Sequence, residues 1–334
     1  MKNKKILLAN SLLLVALLIF ILIPSIARML FKLKDPIGGN ISLLLSGGTS
    51  VIALGGIALL YCRITKRRFN KVMVIKKISL KQVFLIMVVS VGMYCFAIGV
   101  NMISMKLFPV AIKDSTAISK LLNSSSTLLG LVVIILIPAF FEEVFFRGVF
   151  LDAYEGINKK MKFFIITAIF ATFHGNVMQI VYVMFLGLVL LKVREYTGSI
   201  VGSMTLHAVN NAISFILSKV VMYYMKIVNT GIKNGVIDQT QVQAAATTDA
   251  MNASLTVILL RASIFLLIGG AILFINLRQL KEYKEERDGL ELIEEEEDFE
   301  EKCIVRKEEI IDKKQYIPLA IYFVAMTILV VSRY

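Results

Sequence analysis

Apolar residues in this chain fall in long runs separated by short basic stretches. About 20 consecutive apolar residues are what one helix needs to cross the hydrocarbon core of a bilayer. Runs of that kind lie near 6–28, 38–62, 82–105, 127–152, 163–175, 177–193, 199–222, 254–277 and 316–332. The pattern predicts an all-α fold, a polytopic bundle of about eight to nine transmembrane helices around an intramembrane cavity. The fifth and sixth runs are short and meet at Gly175 and Asn176, so they are expected to be tilted or partly re-entrant. The first run follows a basic start, and Ser25-Ile26-Ala27 resembles a small-x-small cleavage site, but its length and the runs behind it favour a span over a signal peptide.

Composition agrees with the pattern. With 57% hydrophobic residues, 18% charged residues and a mean hydropathy of +0.77, the chain is too apolar for a water-facing surface. The net charge of +13 conceals an asymmetry. Residues 278–315 hold fifteen Asp/Glu against nine Lys/Arg, so everything else carries +19 with just nine carboxylates. Nearly all the cations flank hydrophobic runs, which suits loops facing anionic membrane lipid and argues against a nucleic-acid partner. The basic start and the basic 63–81 loop place the N-terminus in the cytoplasm of a multi-pass, cell-membrane protein. Alternation then puts 153–162, 194–198 and 278–315 inside, 106–126 and 223–253 outside, and the C-terminus outside if nine spans are correct.

Four regions follow: N-terminal helices at 1–126, a helical core at 127–222, an extracytoplasmic polar loop at 223–253, and C-terminal helices at 254–334 that carry the acidic 278–315 insertion. Cys62, Cys95 and Cys303 lie far apart with no CxxC pair, which fits packing rather than a zinc cluster or disulfide framework. Gly47-Gly48 and Gly55-Gly56 read as close helix contacts, since no phosphate-loop lysine follows them.

A charge at the bilayer centre costs at least about 2.5–3.5 kcal/mol, so ionisable groups within apolar runs are functional candidates. Glu142, Glu143 and Arg147 share the fourth run. Glu143 and Arg147 are four residues apart, on one helix face where each can neutralise the other. Glu142 is turned about 100° away, free to face a cavity. The only two histidines, His174 and His207, also lie in apolar runs. His207 and Asn211, again four apart, can aim two donors at one point, whereas Asn210 faces elsewhere as a helix-contact residue. At about 1.5 Å per residue from the expected cytoplasmic ends, Glu142 and His174 lie roughly 16 Å deep and His207 roughly 12 Å. Three helices thus bring their groups to one level.

The set Glu142-Glu143-x-x-x-Arg147, Phe170-x-x-x-His174 and His207-x-x-x-Asn211, with Arg194-Glu195-Tyr196-Thr197-Gly198-Ser199-Ile200 leading into the last, resembles the three motifs of the CPBP family. That family includes the type II CAAX prenyl endopeptidases and many bacteriocin-processing, Abi-like or immunity proteins. The resemblance covers about 127–217 and implies hydrolysis of a peptide bond in a membrane-associated peptide or protein. It implies a water activated by Glu142 and His174, an oxyanion held by His207 and Asn211, Glu143 held by Arg147, and Phe170 packed to orient His174. The family is often labelled metallopeptidase, and Glu142, His174 and His207 would be the ligands if zinc were bound. No HExxH is present, and the metal-free version is favoured slightly. Two other classes suit the same residues: a proton-coupled membrane transporter, against which the lack of an evident inverted repeat counts, and a non-catalytic bacteriocin-immunity membrane protein.

Overall fold

A computed structural model describes residues 2–33, 37–109, 121–122, 124–238, 253–295 and 313–333. Among the described residues the regular structure is entirely helical. The helices are α1 (Lys2–Leu30), α2 (Gly39–Thr65), the short α3 (Phe69–Met73), α4 (Leu80–Leu107), α5 (Thr127–Ala153), α6 (Lys159–Phe173), α7 (Val177–Thr197), α8 (Ile200–Lys233), α9 (Leu255–Glu295) and α10 (Ile317–Val331). Each of the nine apolar runs lies on a helix. Seven of the helices are long and apolar enough to cross a membrane, with α10 counted from Lys313. The fifth and sixth runs, now α6 with 15 residues and α7 with 21, form a hairpin outside those seven.

Local chemistry sets the boundaries. Ser79 and Gln82 open α4 with a reciprocal capping box, at 3.2 and 2.9 Å. Asn158 caps α6 by accepting from the Lys160 and Met161 backbone N–H groups, and Ser199 caps α8 by accepting from Val201 N–H. Between α6 and α7 the chain reverses at Gly175, whose φ of +59° is strained for any residue with a Cβ. Close packing then joins α2 to α5: a Cβ on Gly55 would lie 2.6 Å from the Phe141 ring, and one on Gly47 would lie 3.1 Å from Val133 and Ile137. Their neighbours Gly48 and Gly56 face open space.

The polar side chains collect at two ends. At one end Asp152 accepts from Tyr61 at 2.7 Å, pairs with Lys5 at 3.3 Å and with Arg67, and so ties α1, α2 and α5 together. At the same end Lys159 meets Glu195 at 2.5 Å, Ser199 Oγ donates to the Lys76 carbonyl at 2.6 Å, and Lys81 lies over the Tyr283 ring. At the other end Lys106 donates to the Ala253 carbonyl at 3.1 Å and Arg333 to the Gly175 carbonyl at 3.0 Å. The start of α1 and the end of α10 therefore lie at opposite ends of the bundle, as any odd number of crossings requires. Helix α9, with 41 residues, is about 60 Å long, twice the hydrocarbon thickness. From Arg278 onward it is charged and laced by pairs four residues apart, Arg278–Glu282 and Lys281–Glu285 among them. Residues 296–312 of the acidic insertion, with Cys303, and 239–252 of the polar loop lie outside the described residues.

This arrangement has a topological consequence. With the three native cysteines replaced by serine, a cysteine at Lys71 is expected to react with a membrane-impermeant maleimide from the side that holds the N-terminus. One at Lys106 is expected to react from the opposite side only, and labelling of both from one side would contradict the arrangement.

Candidate functional site

The site is built on an irregular stretch of α5. Pro138 has no N–H, so the Ile134 carbonyl loses the partner an α-helix would give it four residues on. The helix widens into π turns over Leu131–Leu136 and again over Val144–Phe150, on both sides of Glu142 and Glu143. Such turns occur often at functional sites. Asn211 of α8 answers the proline: its Nδ2 donates to the Ile134 carbonyl at 3.1 Å. That bond sets α8 against α5 one helical turn from His207.

Glu143 and Arg147 form the expected pair, Nη1 to Oε1 at 3.0 Å, with both side chains fully buried. Three further groups converge on it. His207 Nδ1 lies 2.9 Å from the same Glu143 Oε1. Arg147 Nη2 donates to the Gly187 carbonyl of α7 at 3.3 Å, and its guanidinium lies 4.1 Å over the Phe170 ring of α6. Gly187 allows the approach, because a Cβ there would stand 3.0 Å from Thr167 and 3.1 Å from Phe170.

Glu142 lies beside this knot. Its side chain is 16% exposed, against 0% for Glu143, and its Oε2 stands 3.8 Å from His207 Nε2 with no hydrogen-bond partner. His207 is thus set between two carboxylates, Glu143 on its Nδ1 edge and Glu142 on its Nε2 edge.

His174 is the first residue beyond α6, its C-cap. Its Nδ1 lies 2.9 Å from the Phe170 carbonyl, one of the groups a helix end leaves without a backbone donor. Donation from Nδ1 to that carbonyl leaves the Nε2 lone pair of a neutral imidazole available. The bond turns the ring back one turn, edge-on to Phe170 with centroids 5.0 Å apart. Phe170 also meets the His207 ring edge-on at 6.0 Å. Counted from Lys159, His174 is about 22 Å along α6 rather than the expected 16 Å, because the helix begins before 163. His174 thus departs from the level expected for all three groups, and its link to His207 is the Phe170 ring, which contacts both imidazoles.

Glu142, Glu143, Arg147 and His207 are therefore gathered directly, His174 joins through Phe170, and Asn211 spends an amide donor on the backbone. His207 and Asn211 do not converge as a bare pair of donors here, since Glu143 and the Ile134 carbonyl each claim one of their N–H groups. Asn210 donates to the Tyr182 hydroxyl at 2.6 Å, a contact between α7 and α8. Zinc takes four ligands, three of them from protein in a catalytic site, at about 2.0–2.2 Å for nitrogen and oxygen. Among the described residues no three His, Cys, Asp or Glu side chains are arranged to hold a metal ion. The set Glu142, His174 and His207 does not close, so no step below is routed through a metal.

Sequence reasoning missed Gly187 and Asp152. Gly187 left no signal, because its contribution is a backbone carbonyl. Asp152 had one, as a member of the small carboxylate set outside 278–315.

Comparison with known proteins bears on the same stretch. Residues 124–213 match the family model described as type II CAAX prenyl endopeptidase Rce1-like, a stretch that runs from the end of the loop before α5 into the first half of α8, past His207 and Asn211. Neither a search of curated proteins nor one of solved structures found a match.

Removing one member of a buried ion pair leaves the other charge uncompensated, at a cost of roughly 3–5 kcal/mol. Arg147→Met is expected to lower the unfolding free energy in detergent by about that amount, and adding Glu143→Gln to recover much of it. Equal stability of Arg147→Met and the parent would contradict the pairing.

Proposed function

We propose that this integral membrane protein, whose residues 124–213 match the Rce1-like model of the type II CAAX prenyl endopeptidases, hydrolyses a peptide bond in a membrane-associated peptide or protein. The observation that carries the reading is the convergence of Glu142, His207 and the Phe170–His174 pair from α5, α8 and α6 within the matched segment.

In the proposed reaction Glu142, the carboxylate of the pair whose side chain is partly exposed, takes a proton from water. His174, bonded through Nδ1 to Phe170, presents Nε2 to the same water. The water oxygen attacks the peptide carbonyl, and the oxyanion is met by His207 in its doubly protonated form, which donates Nδ1–H to Glu143 and Nε2–H to the oxyanion, and by the second N–H of Asn211. Glu142 then passes its proton to the amide nitrogen as the C–N bond breaks, giving a carboxylic acid and an amine, between which the remaining proton is exchanged on release. Glu143 and Arg147 do not touch the substrate; they hold His207 and supply the local charge balance.

The entrance is assigned to the end that carries Asp152, because Glu142 is ten residues and about 15 Å from it. In the orientation set by the basic loops that end is cytoplasmic. The apolar surroundings suit a substrate held at the membrane by a lipid group or an apolar segment.

Glu142→Gln is expected to fold normally and to lose cleavage of candidate peptides by at least about a hundredfold. Retention of parental activity at equal expression would refute the assignment and favour a binding role such as immunity. The reaction is also expected to survive exhaustive zinc chelation. Activity lost on chelation and restored stoichiometrically by zinc would require a rearranged Glu142, His174 and His207 site instead.

A further inference from the structure

Helix α10 lies a hundred residues beyond the matched segment, yet it grips the end of α6 on which His174 sits. Tyr322 is fully buried, and its hydroxyl donates to the Ile169 carbonyl at 3.3 Å and lies 3.2 Å from Thr172 Oγ1. One turn further on, Met326 packs against the reversal, with its Cε 3.7 Å from where a Gly175 Cβ would stand. Arg333, just past the helix, donates to the Gly175 carbonyl at 3.0 Å. These contacts fall at 169, 172 and 175, on both sides of His174.

The last turn of α6 needs such support. Thr172 Oγ1 bonds back to the Ala168 and Ile169 carbonyls at 2.8 and 3.1 Å, a pattern that bends helices. The Phe170 carbonyl, which receives His174 Nδ1, lies between the two residues that Tyr322 holds.

We propose that Tyr322 is a positioning residue for His174. By bridging the Ile169 carbonyl and Thr172 Oγ1, it fixes the final turn of α6 so that the Phe170 carbonyl meets Nδ1 and the direction of Nε2 is set. The catalytic consequence rests on the endopeptidase reading above, whereas the effect on the imidazole does not.

Tyr322→Phe removes one oxygen and keeps the ring. Thr172 retains Ala168 as an acceptor and the Ile169 carbonyl retains Thr172, so no buried group is orphaned and the variant is expected to fold. The chain has just two histidines, so nitrogen-labelled imidazoles give two pairs of ring signals, Nδ1 and Nε2 of each, assigned with the His174→Gln variant. In Tyr322→Phe the His174 signal is expected to lose its fixed Nδ1–H character while the His207 signal stays. kcat should fall on the order of tenfold with KM unchanged, the signature of a misplaced reacting group. An unchanged His174 signal overturns the proposal, and so does an unchanged kcat. A shifted His174 signal in a parent that cleaves nothing supports the positioning and sinks the endopeptidase reading instead.

Discussion

A guanidinium enclosed in an apolar bundle has to be neutralised where it stands, and Arg147 is that guanidinium. Glu143 supplies the countercharge from the same helix at 3.0 Å. The remaining attachments come from elsewhere: a backbone carbonyl from α7 at Gly187, an aromatic face from α6 at Phe170, and an imidazole from α8 that shares the Glu143 oxygen. Four helices are therefore registered on one ion pair. Breaking it would expose a bare charge to a medium that solvates it poorly, which makes the pair a strong specifier of how these helices meet.

The backbone of α5 adds a second level of organisation. A regular helix would satisfy its own carbonyls and leave nothing for a neighbour. Pro138 breaks that self-sufficiency at Ile134, and Asn211 binds the carbonyl it leaves. The same logic recurs at the end of α6, where the Phe170 carbonyl takes the His174 ring. Both places turn an unsatisfied backbone acceptor into a fixed position for a polar side chain, inside a medium where such an acceptor costs free energy if left alone. Glu142 is the contrasting case: among the described residues no hydrogen bond ties its carboxylate to the bundle as Arg147 and His207 tie Glu143, and of the two side chains it alone is partly exposed.

Much of this was legible beforehand. The nine apolar runs all became helices, and the interval of four from Glu143 to Arg147 foretold their pair, whereas the shortness of 163–175 and 177–193 was read as tilt or partial re-entry and the structure shows a hairpin. Gly47 and Gly55 met α5 as small residues should, although their immediate neighbours did not. Asn210 went to a neighbouring helix, as its angle on α8 implied. The roles of His207 and Asn211 were harder to read. Shared helix position showed that both side chains point the same way, but not that a carboxylate and a proline-freed carbonyl would already occupy one donor of each.

The sequence by itself determined what is local: helix existence from apolar run length, helix ends from caps and glycines, and the Glu143–Arg147 pair from an interval of four on one helix. Helix geometry separated Glu142 from Glu143 by about 100°, but that both carboxylates meet the one His207 ring was decided by where α8 packs. Only the tertiary structure decided which groups from different helices touch. Phe170 between two imidazoles, Gly187 under Arg147, and Tyr322 behind His174 depend on helix register and distance across the bundle. No periodicity within a single helix encodes them, because they arise from packing shape and from carbonyls that every residue possesses.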